Sequence, residues 1–150
     1  MAYWLMKSEP DAFSIDDMKK VRRSSWDGVR NYQARNMMRD DMRKGDLAFF
    51  YHSNCKQPGI VGIVKICKEA YPDNIDFGRK GKRVKPNKDR DNPTWFMVDV
   101  QYQRKLKRAI SLQELKSHAA LADMPLVRRG NRLSVMPVTR LEWEFILGLD

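Results

Sequence analysis

Residues 95–102 read WFMVDVQY. Phe96, Val98, Val100 and Tyr102 fall on one side of an extended chain, and Trp95, Met97, Asp99 and Gln101 on the other, because side chains of a strand point alternately to its two faces. Upstream, Ile60 to Ile66 is apolar nearly throughout and predicts a second strand, with Gly62 marking a bulge or a close approach. LAFFYH (47–52) and YWLM (3–6) predict two more. Glu9-Pro10 ends the first of these, since the residue before a proline is held extended.

Helices are announced by caps. Ser14 with Asp17 three residues on resembles a capping box and predicts a short helix to about Val21. RRSSWDGVR (22–30) reads as a loop. Asn31 caps a second helix, from about Tyr32 to Arg43, with Ala34, Met37, Met38 and Met42 spaced for one buried face. Lys44-Gly45-Asp46 stops it. Ser111 with Glu114 opens a third helix, and Thr139 caps a last one from Leu141 to Leu147, ending at Gly148. Leu126-Val127 and Arg132 to Met136 flank RRGN, a hairpin or tight turn. Strands interleaved with short helices at irregular spacing do not form a repeating strand–helix–strand pattern. They predict an α+β fold, with a mixed, mostly antiparallel sheet or small barrel and helices at its ends.

The chain has 150 residues and reads as a single domain, 1–150. No apolar run approaches the ~20 residues of a membrane span. MAYWLMKSEPDAF lacks the charged start and apolar stretch of a secretory signal, and the two cysteines, Cys55 and Cys67, are too few for a disulfide framework or zinc knuckle. An intracellular, cytoplasmic setting is expected, or a nuclear one in a eukaryote. The net charge is +10, from 29 Lys and Arg against 19 Asp and Glu. That excess suits a polyanionic partner. It concentrates in GRKGKRVKPNKDRDNP (78–93), which includes Lys80, Lys82, Arg83 and Lys85. A solvated charge run is the plain reading. Phosphate contact is favoured over it, because charges this dense repel one another until an anion screens them.

Catalytic patterns are absent: there is no HExxH, CxxC, GxGxxG or Walker motif. His52 and Ser53 are adjacent on a strand and point apart. His118 reads as a surface residue of a helix among alanines. Lys7 and Glu9 share a face by strand alternation and could converge on a pocket. The residues favour binding over chemistry, with no catalytic residue, metal or cofactor expected. For Trp26 alone, core packing is the leading reading. Two groups of polar residues, 52–54 and 129–134, shift that balance beside a permissive glycine. Gly28 allows a backbone that a Cβ would block. His52, Ser53 and Asn54 set polar groups at the mouth of an apolar strand, and Arg129 to Ser134 put more on another turn. A nucleobase pocket needs an aromatic face and a few donors and acceptors at the base edge.

Six stretches together resemble the EVE domain: WLMKSEP (4–10), WDGVRNYQAR (26–35), FYHSN (50–54), AYPD (70–73), WFMVDV (95–100) and RGNRLSV (129–135). The resemblance implies a PUA-like pseudo-barrel akin to YTH and ASCH domains. It implies a reader of modified bases, chiefly modified cytosine, flipped out of DNA or RNA. By that pattern Trp26 is the pocket aromatic. Asn31, Ser53 and the Arg132-Leu133-Ser134-Val135 strand touch the base or its sugar. Lys7, Arg30, Arg35 and Arg132 meet phosphates. A monomer is favoured. The alternative the resemblance leaves open is an amidohydrolase acting on modified cytidine through Lys7 and Glu9, and a peptide-binding module is a third reading.

Overall fold

The computed structural model describes residues 1–75, 83–87 and 92–150. Six strands form one sheet: β1 (Tyr3–Ser8), β2 (Arg23–Ser25), β3 (Leu47–His52), β4 (Gly59–Pro72), β5 (Phe96–Ser111) and β6 (Val135–Val138), in the order β2-β5-β4-β3-β1-β6. Among the described residues only β1 and β3 pair in parallel; the other four pairings are antiparallel. The α-helices among the described residues are α1 (Ile15–Val21), α2 (Tyr32–Asn36), α3 (Leu112–Lys116) and α4 (Arg140–Leu149). This is the α+β, mostly antiparallel architecture expected.

Alternation along the strands makes two cores. Trp4, Met6, Ala48, Phe50, Val64, Val98 and Val100 enter one, and Leu5, Phe49, Tyr51, Ile60, Ile63, Leu106 and Ile110 the other. Both faces of β1 and β3 are therefore covered, which is why YWLM and LAFFYH read as unbroken apolar runs. β5 divides its length between the cores, with its first half in one and its second half in the other. Register shifts along the β4–β5 pairing let the long strands bend in this way. Gly62 lies at one such shift, and a Cβ there would stand 2.4 Å from Ile15 Cδ1. It is both the bulge and the close approach.

Several boundaries differ from the sequence reading. Arg23–Ser25, within the expected loop, pairs with β5 as an edge strand too short and polar to carry a pattern. β4 and β5 run well beyond Ile66 and Tyr102, since their outer halves are polar on the solvent side. The second helix stops at Asn36, and Met37–Asp41 continues as one π-helical turn that keeps Met38 and Met42 buried. Trp95 lies just before β5 rather than in it, and is buried at 5% exposure. RRGN is a tight turn rather than a hairpin: Pro125–Val127 is a 3-10 turn, and β6 pairs with β1. The last helix passes through Gly148 to Leu149. His118 lies between helices, its ring edge-on to Phe145. The caps at Ser14, Asn31, Ser111 and Thr139 each accept the backbone N–H expected of them.

Candidate functional site

Where β1, β3 and β6 end together, a cavity of about 390 Å³ opens. Lys7, Ser53, Arg132, Ser134 and the Gly28–Asn31 turn line it. Two backbone bonds past the strand ends hold the wall: Lys7 N–H donates to Ser134 O at 2.8 Å, and Ser53 N–H to Ser8 O at 3.0 Å. They set Ser134 beside the Lys7 backbone and Ser53 beside that of Ser8. Gly28 has φ +79, a conformation open to glycine at little cost. Its N–H donates to Asp73 Oδ2 at 2.8 Å, so the turn is fixed from within.

Asp73 is fully buried and organises this wall. The same Oδ2 accepts from Arg30 Nη1 at 2.9 Å, and Oδ1 accepts from Ile75 N–H at 3.2 Å. Arg30 also donates from Nε to Lys85 O at 2.6 Å and lies over the Trp95 ring at 5.5 Å. Its Nη2 is buried with no hydrogen-bond partner among the described residues. A buried donor left in this way lacks the compensation that such groups nearly always find. Asn87 clips the far side. Its amide donates to Asp73 O and Trp95 O and accepts from the N–H groups of Thr94 and Trp95. Neither Asp73 nor Asn87 stands out as a site residue in the sequence, because an aspartate after Pro72 and an asparagine in a basic loop look like ordinary loop polarity.

Asn31 spends its side-chain oxygen on Ala34 N–H at 3.0 Å. That leaves the amide NH₂ of this exposed residue available to a ligand. Lys7 is half-buried, with its Nζ 5.8 Å from the Tyr51 ring centre, and burial holds its ammonium below the ordinary lysine value. The cavity is therefore rich in donors (Lys7 Nζ, Asn31 Nδ2, the Arg132 guanidinium), with the Ser53 and Ser134 hydroxyls able to donate or accept. Its chemistry complements an acceptor-bearing ring or an anion.

Of the expected site residues, Lys7, Arg30, Asn31, Ser53, Arg132 and Ser134 converge on this cavity. The others do not line it. Trp26 has no exposed surface; its ring meets Phe50 edge-on at 5.5 Å and both belong to the first core, so no ring face stands open. Its fused rings fill the core behind the turn, which is the packing reading that the residue alone favours. His52 Nε2 accepts from Ile15 N–H at 3.1 Å, at the start of α1. Asn54 is exposed, at φ +52, and donates to Glu9 Oε1. Val135 is buried in β6, and Leu133 lines a neighbouring cavity. Arg35 donates to Thr94 O and lies 5.0 Å over the Tyr32 ring. Arg83 and Lys85 are exposed, and Lys80 and Lys82 lie outside the described residues. β1 ends at Ser8, so strand alternation does not reach Glu9. Among the described residues no group of three His, Cys, Asp or Glu side chains gathers as a metal site would need, and no helix is long and apolar enough to cross a membrane.

The EVE domain family model matches residues 2–149. Thymocyte nuclear protein 1 of Mus musculus is 50% identical over 167 aligned residues, spanning 99% of this chain and 73% of that protein. A crystal structure of a Pseudomonas syringae protein is 47% identical, with a TM-score of 0.91 and 99% of each chain covered. Human THYN1, solved in complex with 5-methylcytosine containing DNA, is 48% identical with a TM-score of 0.88, covering 99% of this chain and 97% of that one.

Proposed function

The chain belongs to the EVE domain family, and on that premise we propose that it binds DNA carrying a modified cytosine, with the base turned out of the stack into the cavity between Lys7, the Gly28–Asn31 turn, Ser53 and Ser134. The observation that carries this reading is the cavity itself: about 390 Å³, donor-rich, and pinned by the buried Asp73. The human relative's complex with 5-methylcytosine DNA supports the ligand class.

The chemistry follows from the groups present. Cytosine offers its ring nitrogen and carbonyl oxygen as acceptors and its exocyclic amine as a donor. Asn31 Nδ2 and one serine hydroxyl supply donors for the first two, and the other serine hydroxyl can accept from the amine. The Asp73 carboxylate neutralises Arg30, so Arg30 holds the Gly28–Asn31 turn in place more than it acts as a free charge. Lys7 and Arg132 meet the flanking phosphates. Extruding a base costs a few kcal/mol. The hydrogen bonds and the phosphate contacts offset that cost. Trp26 holds the turn from the core, and base stacking on it requires the ring to be uncovered on binding. A single methyl group buried on its apolar side adds ~1 kcal/mol, so preference for 5-methylcytosine over cytosine is about fivefold.

Replacing Asn31 with serine tests this. Serine keeps a capping oxygen for α2 and removes the amide donor. The expected result is unchanged stability and roughly fivefold weaker binding to a methylated oligonucleotide, the worth of about one hydrogen bond. Unchanged affinity would remove the base from this cavity. An RNA of the same sequence, run in parallel, distinguishes the sugar. The amidohydrolase reading has one observation in its favour, the burial that lowers the Lys7 ammonium toward a nucleophilic amine. Mass spectrometry of modified cytidines after incubation separates it: product that disappears with Lys7→Ala would establish turnover.

A further inference from the structure

A second cavity, of about 450 Å³, adjoins the first and shares Asn31 and Arg132 with it. Gln33 stands on one side; Pro125 and the turn from Arg128 to Leu133 form the other. Arg128, Arg129 and Arg132 lie along this turn, and among the described residues none of them pairs with a carboxylate. Arg22, Arg35 and Arg43 likewise have no carboxylate partner among the described residues, but they do not share one cavity; several other arginines are neutralised. Arg23, Arg104, Arg108 and Arg140 each pair with a carboxylate, on Asp99, Asp150, Glu114 and Glu144.

The turn is also rigidly made. Asn131 Nδ2 donates to Pro125 O at 2.7 Å, its Oδ1 accepts from Leu133 N–H at 2.9 Å, and Gly130 takes φ +80. Three cations are thus held close together on a pinned backbone with no counter-charge among the described residues. Such an array is stabilised by an anion with several charges at regular intervals, and a nucleic-acid backbone is one. Arg132 lies on the border between the two cavities, where a strand leaving the first must enter the second.

We propose that this groove is the track of the DNA strand flanking the everted nucleotide, with Arg128 and Arg129 on its phosphates. The inference rests on the proposed function above. It makes the groove a contributor to affinity and the pocket the source of selectivity, since phosphate contacts carry no base information.

The experiment compares wild type with the double variant Arg128→Gln/Arg129→Gln. Binding to short single-stranded DNAs with and without one central 5-methylcytosine is followed by fluorescence anisotropy over a range of salt. In the variant, affinity for both DNAs falls by the same factor, and their ratio is unchanged. The slope of log K against log salt becomes shallower by roughly 0.7 for each phosphate that the variant no longer neutralises. The charge-preserving Arg128→Lys/Arg129→Lys variant restores the slope. An unchanged slope overturns the proposal, and so does a collapse of the ratio, which would assign these arginines to the pocket. Failure of the pocket reading has its own signature: wild type binds the two DNAs equally, while the slope still judges the groove.

Discussion

At the scale of single residues, the site depends on a side chain that does not line the cavity. Asp73 joins the Gly28 N–H, the Arg30 guanidinium and the Ile75 N–H in one buried carboxylate. Removing it leaves Arg30, whose side chain is 10% exposed, as an uncompensated buried charge. Asp73→Ala is therefore expected to destabilise the fold by about 3 kcal/mol or more, read as a lower urea midpoint, and to weaken DNA binding beyond what the stability loss explains. Asn31 was legible because a cap has a local signature: a polar residue ahead of an apolar helix face. Asp73 was not, because its partners lie 43 and 45 positions away. Trp26 marks the same boundary. Its size was plain from sequence, but whether a tryptophan faces a ligand or a core depends on what packs against it, here Phe50.

Among the elements, α1 is tied to the site through His52. The imidazole Nε2 accepts the Ile15 N–H, which needs a neutral ring. Burial lowers the His52 pKa, opposed by Asp16 and aided by Lys105. A folded value below the unfolded one means that the unfolded chain binds the proton first as pH falls. Stability is then lost progressively below about pH 6.5, and above it His52 adds no slope. Denaturant titrations between about pH 7 and 5 should show this decline in wild type and less of it in His52→Gln. The β4–β5 pairing offers a second comparison. A Cβ on Gly59 would stand 2.5 Å from the Ile110 backbone oxygen, whereas one on Gly62 would meet the movable end of Ile15 at 2.4 Å. Both alanine variants are overpacked, a class that costs about 1–3 kcal/mol. Gly59→Ala should be the worse, since a paired strand cannot step aside as a side chain can. Equal melting temperatures for the two would contradict that ranking. Cap signatures and apolar runs placed these elements well. Their ends were harder: the outer half of β5 is largely exposed, and nothing in its polar sequence distinguishes a strand from a loop until β4 lies beside it.

For the whole molecule, the relevant quantities are the charge of +10 and its placement. If the basic loop meets phosphates, neutralising Lys80, Lys82, Arg83 and Lys85 should flatten the salt dependence of DNA binding by roughly 0.7 in slope for every phosphate released. An unchanged slope would return the loop to solvent. The amino-acid sequence alone determined the class of fold, the caps, the six stretches that resemble the EVE domain, and the cationic excess. Each is written in neighbouring residues or in composition, where periods of two and 3.6 and local hydrogen bonds operate. Tertiary structure alone decided which of the candidate residues form one cavity. Lys7, Ser53 and Ser134 meet because β1 pairs in parallel with β3 and antiparallel with β6, bringing three distant strand ends to one edge. Register between strands is set by side chains meeting across the sheet, and no stretch of one strand contains that information.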